Sequence, residues 1–111
     1  MSITLGISKG KEYAGSEFID DVPVSFFSVW KRTWERALTE CNIRIFVDCQ
    51  YFRLSKVPQV LEELDRIYEW VQTNGGEDTE YVSWRIRDQL KPFLMQFYEE
   101  HKDEDYWFDV G

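Results

Sequence analysis

The sequence predicts an α+β domain in which about three helices pack on a mainly antiparallel sheet. Two observations carry the prediction. Apolar residues recur with helical period in three separated stretches, and short runs of alternating apolar and polar residues lie between and around them, bounded by glycine, asparagine and aspartate.

The first run is Ser2 to Ile7, where Ile3, Leu5 and Ile7 alternate with Ser2, Thr4 and Gly6 as on a half-buried strand. A polar, glycine-bearing loop follows. Its GISKGKE segment resembles a phosphate loop only in its glycines: three residues separate Gly6 from Gly10, and Glu12 stands where a Ser or Thr would hold magnesium. A strand ending in a turn accounts for the same glycines.

From about Pro23 to Cys41 the spacing is helical, with Phe27, Trp30, Trp34, Leu38 and Cys41 on one stripe and Lys31, Arg32, Glu35 and Arg36 mostly away from it. A proline near a helix start lacks an amide that would have no intrahelical partner there. Asn42 can close the helix. In IRIFVDCQYFRLS, Ile43, Ile45 and Val47 face opposite to Arg44, Phe46 and Asp48, which predicts one long bent strand, or two short ones broken near Asp48 to Gln50.

Ser55 then caps a second helix with Pro58 in its first turn. Val57, Val60, Leu61, Leu64, Ile67, Tyr68 and Val71 form its apolar stripe, opposite a solvated face of Glu62, Glu63, Asp65, Arg66 and Glu69. TNGGED ends it, with glycines able to take the left-handed conformation. YVSWRIR alternates Val82, Trp84 and Ile86 against Tyr81, Ser83 and Arg85, a strand pattern. A third helix begins between Asp88 and Pro92, with Leu90, Phe93, Leu94, Phe97 and His101 on one side. The tail reads as an edge strand in which Tyr106 and Phe108 share a face opposite Trp107.

Composition limits what such a domain does. At 111 residues the chain is a single domain, residues 1–111, and its 43% hydrophobic and 17% aromatic content belongs to a folded core rather than an acidic disordered segment. No stretch approaches the ~18 uninterrupted apolar residues of a membrane span, and the start MSITLGISKGK lacks a basic region followed by an apolar one, so a cytoplasmic location is expected. Cys41 and Cys49 are expected to be reduced thiols, at least one of them buried, and are too few and too loosely placed for a zinc site, with the one histidine, His101, far away.

The net charge of −8 is uneven: residues 1–55 hold seven Lys or Arg against seven Asp or Glu, whereas residues 56–111 hold six against fourteen. Such a field repels nucleic acid and anionic lipid and steers basic partners inward. Neither direct nucleic-acid binding nor membrane binding is expected. The sequence has no GxSxG elbow, no HExxH and no glycine-rich nucleotide fingerprint, and its acids single out no catalytic pair. No catalytic residue, cofactor or metal ligand is assigned, and an enzyme is not expected.

A partner-binding site is instead expected in the tail, at Asp103, Glu104, Asp105, Tyr106, Trp107 and Asp109. With Tyr106 and Phe108 inward, Trp107 points outward, and an outward tryptophan with an acidic rim suits a basic partner groove. The competing reading is that the tail only adds an edge strand whose rings cover the core and whose acids deter aggregation.

The succession GSEF (Gly15 to Phe18), SFFS (Ser25 to Ser28), LEELDRI (Leu61 to Ile67) and VSWRIRD (Val82 to Asp88) resembles the order of landmarks in the immunity protein 70 family. The resemblance covers roughly residues 15–92. It implies a small bacterial immunity protein that binds and neutralises the C-terminal domain of a cognate polymorphic toxin. A basic toxin domain, such as a nuclease, would suit the acidity. Two alternatives share that acidity: a phage-type inhibitor imitating nucleic acid, and a regulatory adaptor.

Overall fold

In the computed structural model, which describes residues 2–111, four strands form one antiparallel sheet in the order β2-β1-β4-β3. These are β1 (Ser2–Lys9), β2 (Glu17–Phe26), β3 (Gln50–Arg53) and β4 (Tyr106–Val110). Three helices complete the α+β fold. Helix α1 covers residues 27–40 and contains a wide π-helical turn at Trp30–Trp34; α2 is Val57–Asn74; α3 covers residues 79–101, with a second wide turn at Arg85–Leu90.

Strand register separates the two faces of the sheet. Leu5 opposes Val110, and Phe108 lies between Ile7 and Phe52, all on the face that joins the core with Trp30, Trp34, Leu64, Ile67, Ile86 and Leu94. The other face takes the alternate residues: Gly6 and Tyr51 flank Asp109, and Ser8 and Arg53 flank Trp107.

Strand β2 replaces the second part of the expected loop, from Glu17, and the first turn of the expected helix. It is an edge strand, exposed along residues 17–21, and its register with β1 shifts between Ile3 and Thr4 and again between Ile7 and Ser8. Bulges of this kind break the two-residue alternation that marks a strand in sequence. Pro23 belongs to this strand rather than to a helix start. It opposes Thr4, whose own amide and carbonyl bond to Gly111, so the missing proline amide removes no β1–β2 bond.

The segment at residues 81–87 is helical, not a strand. Val82, Ile86, Leu90 and Leu94 are all fully buried. Spacing by four drifts around an ordinary α-helix, and the wide turn at Arg85–Leu90 adds the residue that keeps this row against the core. Trp84, whose alternation with Val82 and Ile86 imitated a strand, is 39% exposed.

Three further expectations are corrected. The Ile43–Ser55 run yields only the short β3, and Ile43, Ile45 and Val47 lie in a non-strand segment. A 3₁₀ turn at Leu54–Lys56 leads into α2, so Lys56 and not Ser55 occupies the cap position, with no side-chain capping bond. The α2 stripe itself is as expected: Val57, Val60, Leu64, Ile67 and Val71 are fully buried. Glu63, however, is buried rather than solvated. At the helix end Gly76 takes a positive φ of 56°, while Gly75 is needed for closeness, because a Cβ there would lie 2.7 Å from the Val71 carbonyl oxygen.

Candidate partner-binding surface

Strand β4 is central in the sheet, between β1 and β3, and not an edge. That position divides the six residues expected to bind a partner. Asp103, Glu104 and Asp105 are exposed in the turn between α3 and β4. Glu104 shares a 2.8 Å hydrogen bond with His101 Nδ1 and lies 3.7 Å from Lys9 Nζ. The His101 bond chiefly holds the Glu104 carboxyl below its ordinary range. Tyr106 is buried on the core face, edge-on to Phe97 with ring centroids 4.9 Å apart.

Trp107 does face away from Tyr106 and Phe108, but it is not an exposed anchor. Only 9% of it is accessible, because the β1–β2 loop brings Tyr13 across this face and β3 supplies Tyr51 and Arg53. Tyr13 and Tyr51 stack at 4.0 Å, both meet Trp107 edge-on, and the Arg53 guanidinium lies 4.4 Å from the indole centroid. Asp109 accepts a 3.1 Å bond from the Tyr13 hydroxyl. Burial first, and the Asp109 charge second, push the Tyr13 phenol above its usual pKa. Gly6 makes room: a Cβ there would stand 2.8 Å from the Asp109 carboxylate. The turn acids remain open to solvent, whereas the tail aromatics are committed to the fold.

A different aromatic surface is exposed. Phe26, 58% accessible at the end of β2, stacks on Tyr81 of α3 at 5.4 Å, and Tyr81 lies 6.2 Å from Trp84. The Arg85 guanidinium covers both, 4.6 Å from the Trp84 centroid and 5.5 Å from that of Tyr81. Trp84 opens onto a groove of about 610 Å³ lined with Tyr68, Gln72, Ser83 and Arg87. Tyr68 and Arg87 also line a neighbouring groove of about 430 Å³, which ends at the exposed Met95.

Three positions of the adjoining β2 edge offer no free amide to an added strand. The Asp21 amide donates to the Asp20 carboxylate at 2.8 Å, Pro23 has no amide, and the Phe26 amide donates to the Tyr81 hydroxyl at 3.2 Å. Proline and charge are recognised protections of an edge strand. What β2 offers a partner is side chains, with Phe18 62% and Ile19 50% exposed.

The buried acids serve the fold. Glu63 accepts from three backbone amides, and Asp78 holds α1 through the Arg32 guanidinium and the Thr33 hydroxyl. Among the described residues no three His, Cys, Asp or Glu groups are placed to hold a metal ion, and no helix is long and apolar enough to cross a membrane. Both cysteines are free thiols and, against expectation, neither is buried: Cys41 is half-buried and Cys49 exposed.

Sequence reasoning missed the Phe26, Tyr81, Trp84 and Arg85 cluster because it placed residues 81–87 on a strand. Read with helical period, Tyr81, Trp84 and Arg85 fall together at i, i+3 and i+4, away from the Val82, Ile86 and Leu90 row. Set against protein-family models, curated proteins and solved structures, the chain matches none of them.

Proposed function

We propose that this protein is an immunity protein: it binds the C-terminal domain of a cognate bacterial toxin and neutralises it, acting in the cytosol of the producing cell. The observation that carries the reading is a surface cluster in which exposed Phe26 and Trp84 flank half-buried Tyr81 and Arg85, on a domain with a net charge of −8. Tryptophan, tyrosine and arginine are the residues that dominate interface energetics when a partner desolvates them. The acidity supplies the rate: exposed Asp103, Glu104 and Asp105, with Glu62 and Glu69 on α2, draw a basic toxin domain inward by electrostatic steering. The order of sequence landmarks, which resembles that of the immunity protein 70 family although no family model matches the chain, points the same way.

The toxin domain is proposed to be basic, and a nuclease is the toxin class whose phosphate-binding cleft suits such an inhibitor best. The deciding experiment is bacterial growth with the C-terminal domain of the adjacent upstream gene product expressed, with and without this protein. Rescue confined to that toxin is expected. A harmless upstream domain, or killing that continues in the presence of the protein, would sink the proposal.

A further inference from the structure

We infer that Arg85, framed by Phe26, Tyr81 and Trp84, is a socket for a carboxylate side chain carried among apolar residues on the partner protein. Arg85 differs from the other arginines of the described residues. It alone is half-buried where the others are exposed, and like Arg44, Arg53 and Arg66 it takes part in no ion pair. Its Nε is buried without a hydrogen-bond partner, and its polar contact is a long 3.3 Å bond from Nη2 to the Tyr81 hydroxyl.

A half-buried guanidinium without a counter-charge costs stability, which stacking on two rings offsets only in part. No carboxylate among the described residues pairs with this half-buried cation, and with Nε sealed inside, it is the outer Nη1 and Nη2 end of the guanidinium that can meet an outside acceptor. A planar fork held 4.6 Å over an indole presents its donors in a fixed pattern that suits the two oxygens of a carboxylate. The surrounding Phe26 and Trp84, 58% and 39% exposed, are suited to apolar neighbours of that carboxylate. The net charge of −8 disfavours a polyanion such as nucleic acid, so the occupant is one acidic side chain on a protein surface.

The identity of the partner rests on the immunity reading; the chemistry of the socket rests on the geometry. The test therefore has two arms. In the first, the upstream toxin domain is titrated calorimetrically with the wild type, Arg85→Gln and Arg85→Lys. Arg85→Gln is expected to weaken binding about 30-fold or more, and Arg85→Lys about tenfold, because a point charge does not replace the fork. Since the cation is unpaired, both variants should melt within about 3 °C of wild type, less than the shift that ~1 kcal/mol gives a domain of this size.

The second arm needs no toxin. N-acetyl-Leu-Glu-Phe-amide, and the same peptide with Gln for Glu, are titrated into the protein while the Arg85 Nε–H and Trp84 indole signals are followed by NMR. The Glu peptide should shift both signals and the Gln peptide neither. Wild-type toxin binding that Arg85→Gln leaves within about threefold would overturn the socket and leave the immunity reading intact. Failure of rescue would remove the immunity reading, and the peptide arm then decides alone: no Glu-specific shift refutes the socket.

Discussion

The backbone amide of Phe46 donates to the carboxylate of Glu63 at 2.8 Å, joining the segment ahead of β3 to the middle of α2. The same carboxylate accepts from the amides of Arg44 at 2.8 Å and Ile45 at 3.1 Å, so a single side chain satisfies three consecutive donors that no strand pairs. Buried amides require partners, and successive amides turned to one point form an anion-binding concavity. Glu63 is 3% exposed, so water does not replace it readily.

Removing that acceptor should therefore be costly. Glu63→Ala is expected to lower stability by about 3 kcal/mol or more, through unpaired amides, while Glu63→Gln, which keeps one carbonyl oxygen, should lose less. Midpoints of urea unfolding for the two variants check the order. Equal and small losses would show that the 44–46 segment finds other partners.

Asp78 is expected to make the fold acid-sensitive. It is 5% exposed and accepts from Arg32 Nε at 2.9 Å and Nη2 at 2.6 Å, and also from the Thr33 hydroxyl. The Arg32 bond is the chief reason its carboxyl sits below the ordinary aspartate value, against the opposing effect of burial. A depressed carboxyl contributes stability that is fully present above its unfolded pKa, about 4, and is lost as the pH falls through its folded pKa. Unfolding free energies measured from pH 7 to pH 2 should decline below about pH 4, and Asp78→Asn should be less stable at neutral pH with a shallower acid decline. An unchanged slope in the variant would assign the acid sensitivity elsewhere, with Asp88 and Glu104, also depressed, as the next groups to replace.

Trp107 and Trp84 should separate structure from binding. Trp107→Ala removes a 9% exposed ring packed under Tyr13, Tyr51 and Arg53, and is expected to cost about 3 kcal/mol of stability. Toxin affinity at a temperature where the variant is folded should stay near wild type. Trp84→Ala, at a 39% exposed position, should show the reverse: a small change in melting temperature and a large loss of affinity. A Trp107→Ala protein that melts normally but fails to bind would return the contact face to the tail.

Much of this architecture was legible along the chain. The seven-residue stripe of α2, the alternation of β1 and the apolar row from Leu90 to Phe97 each record one face meeting one core, and local period reports that directly. The opposite faces assigned to Trp107 and Tyr106 were also readable, because successive strand residues always point apart. Helix and strand at residues 81–87 were not distinguishable: Val82 and Ile86 fit both a period of two and a spacing of four.

By itself the sequence determined the class of fold, the placement of negative charge in the second half and the apolar faces of the regular elements, since each depends on residues close together in the chain. It took the packed molecule to make β4 central and bulged β2 the edge, to turn Glu63 inward and to lay Tyr13 over Trp107. Those outcomes depend on pairings across long separations, |i−j| = 96 for Tyr13 and Asp109, and on which side of a strand acquires a neighbour. The same dependence placed Phe26 beside Tyr81 and left Arg85 without a carboxylate, because a local pattern records the face a residue occupies and not the side chain that meets it there.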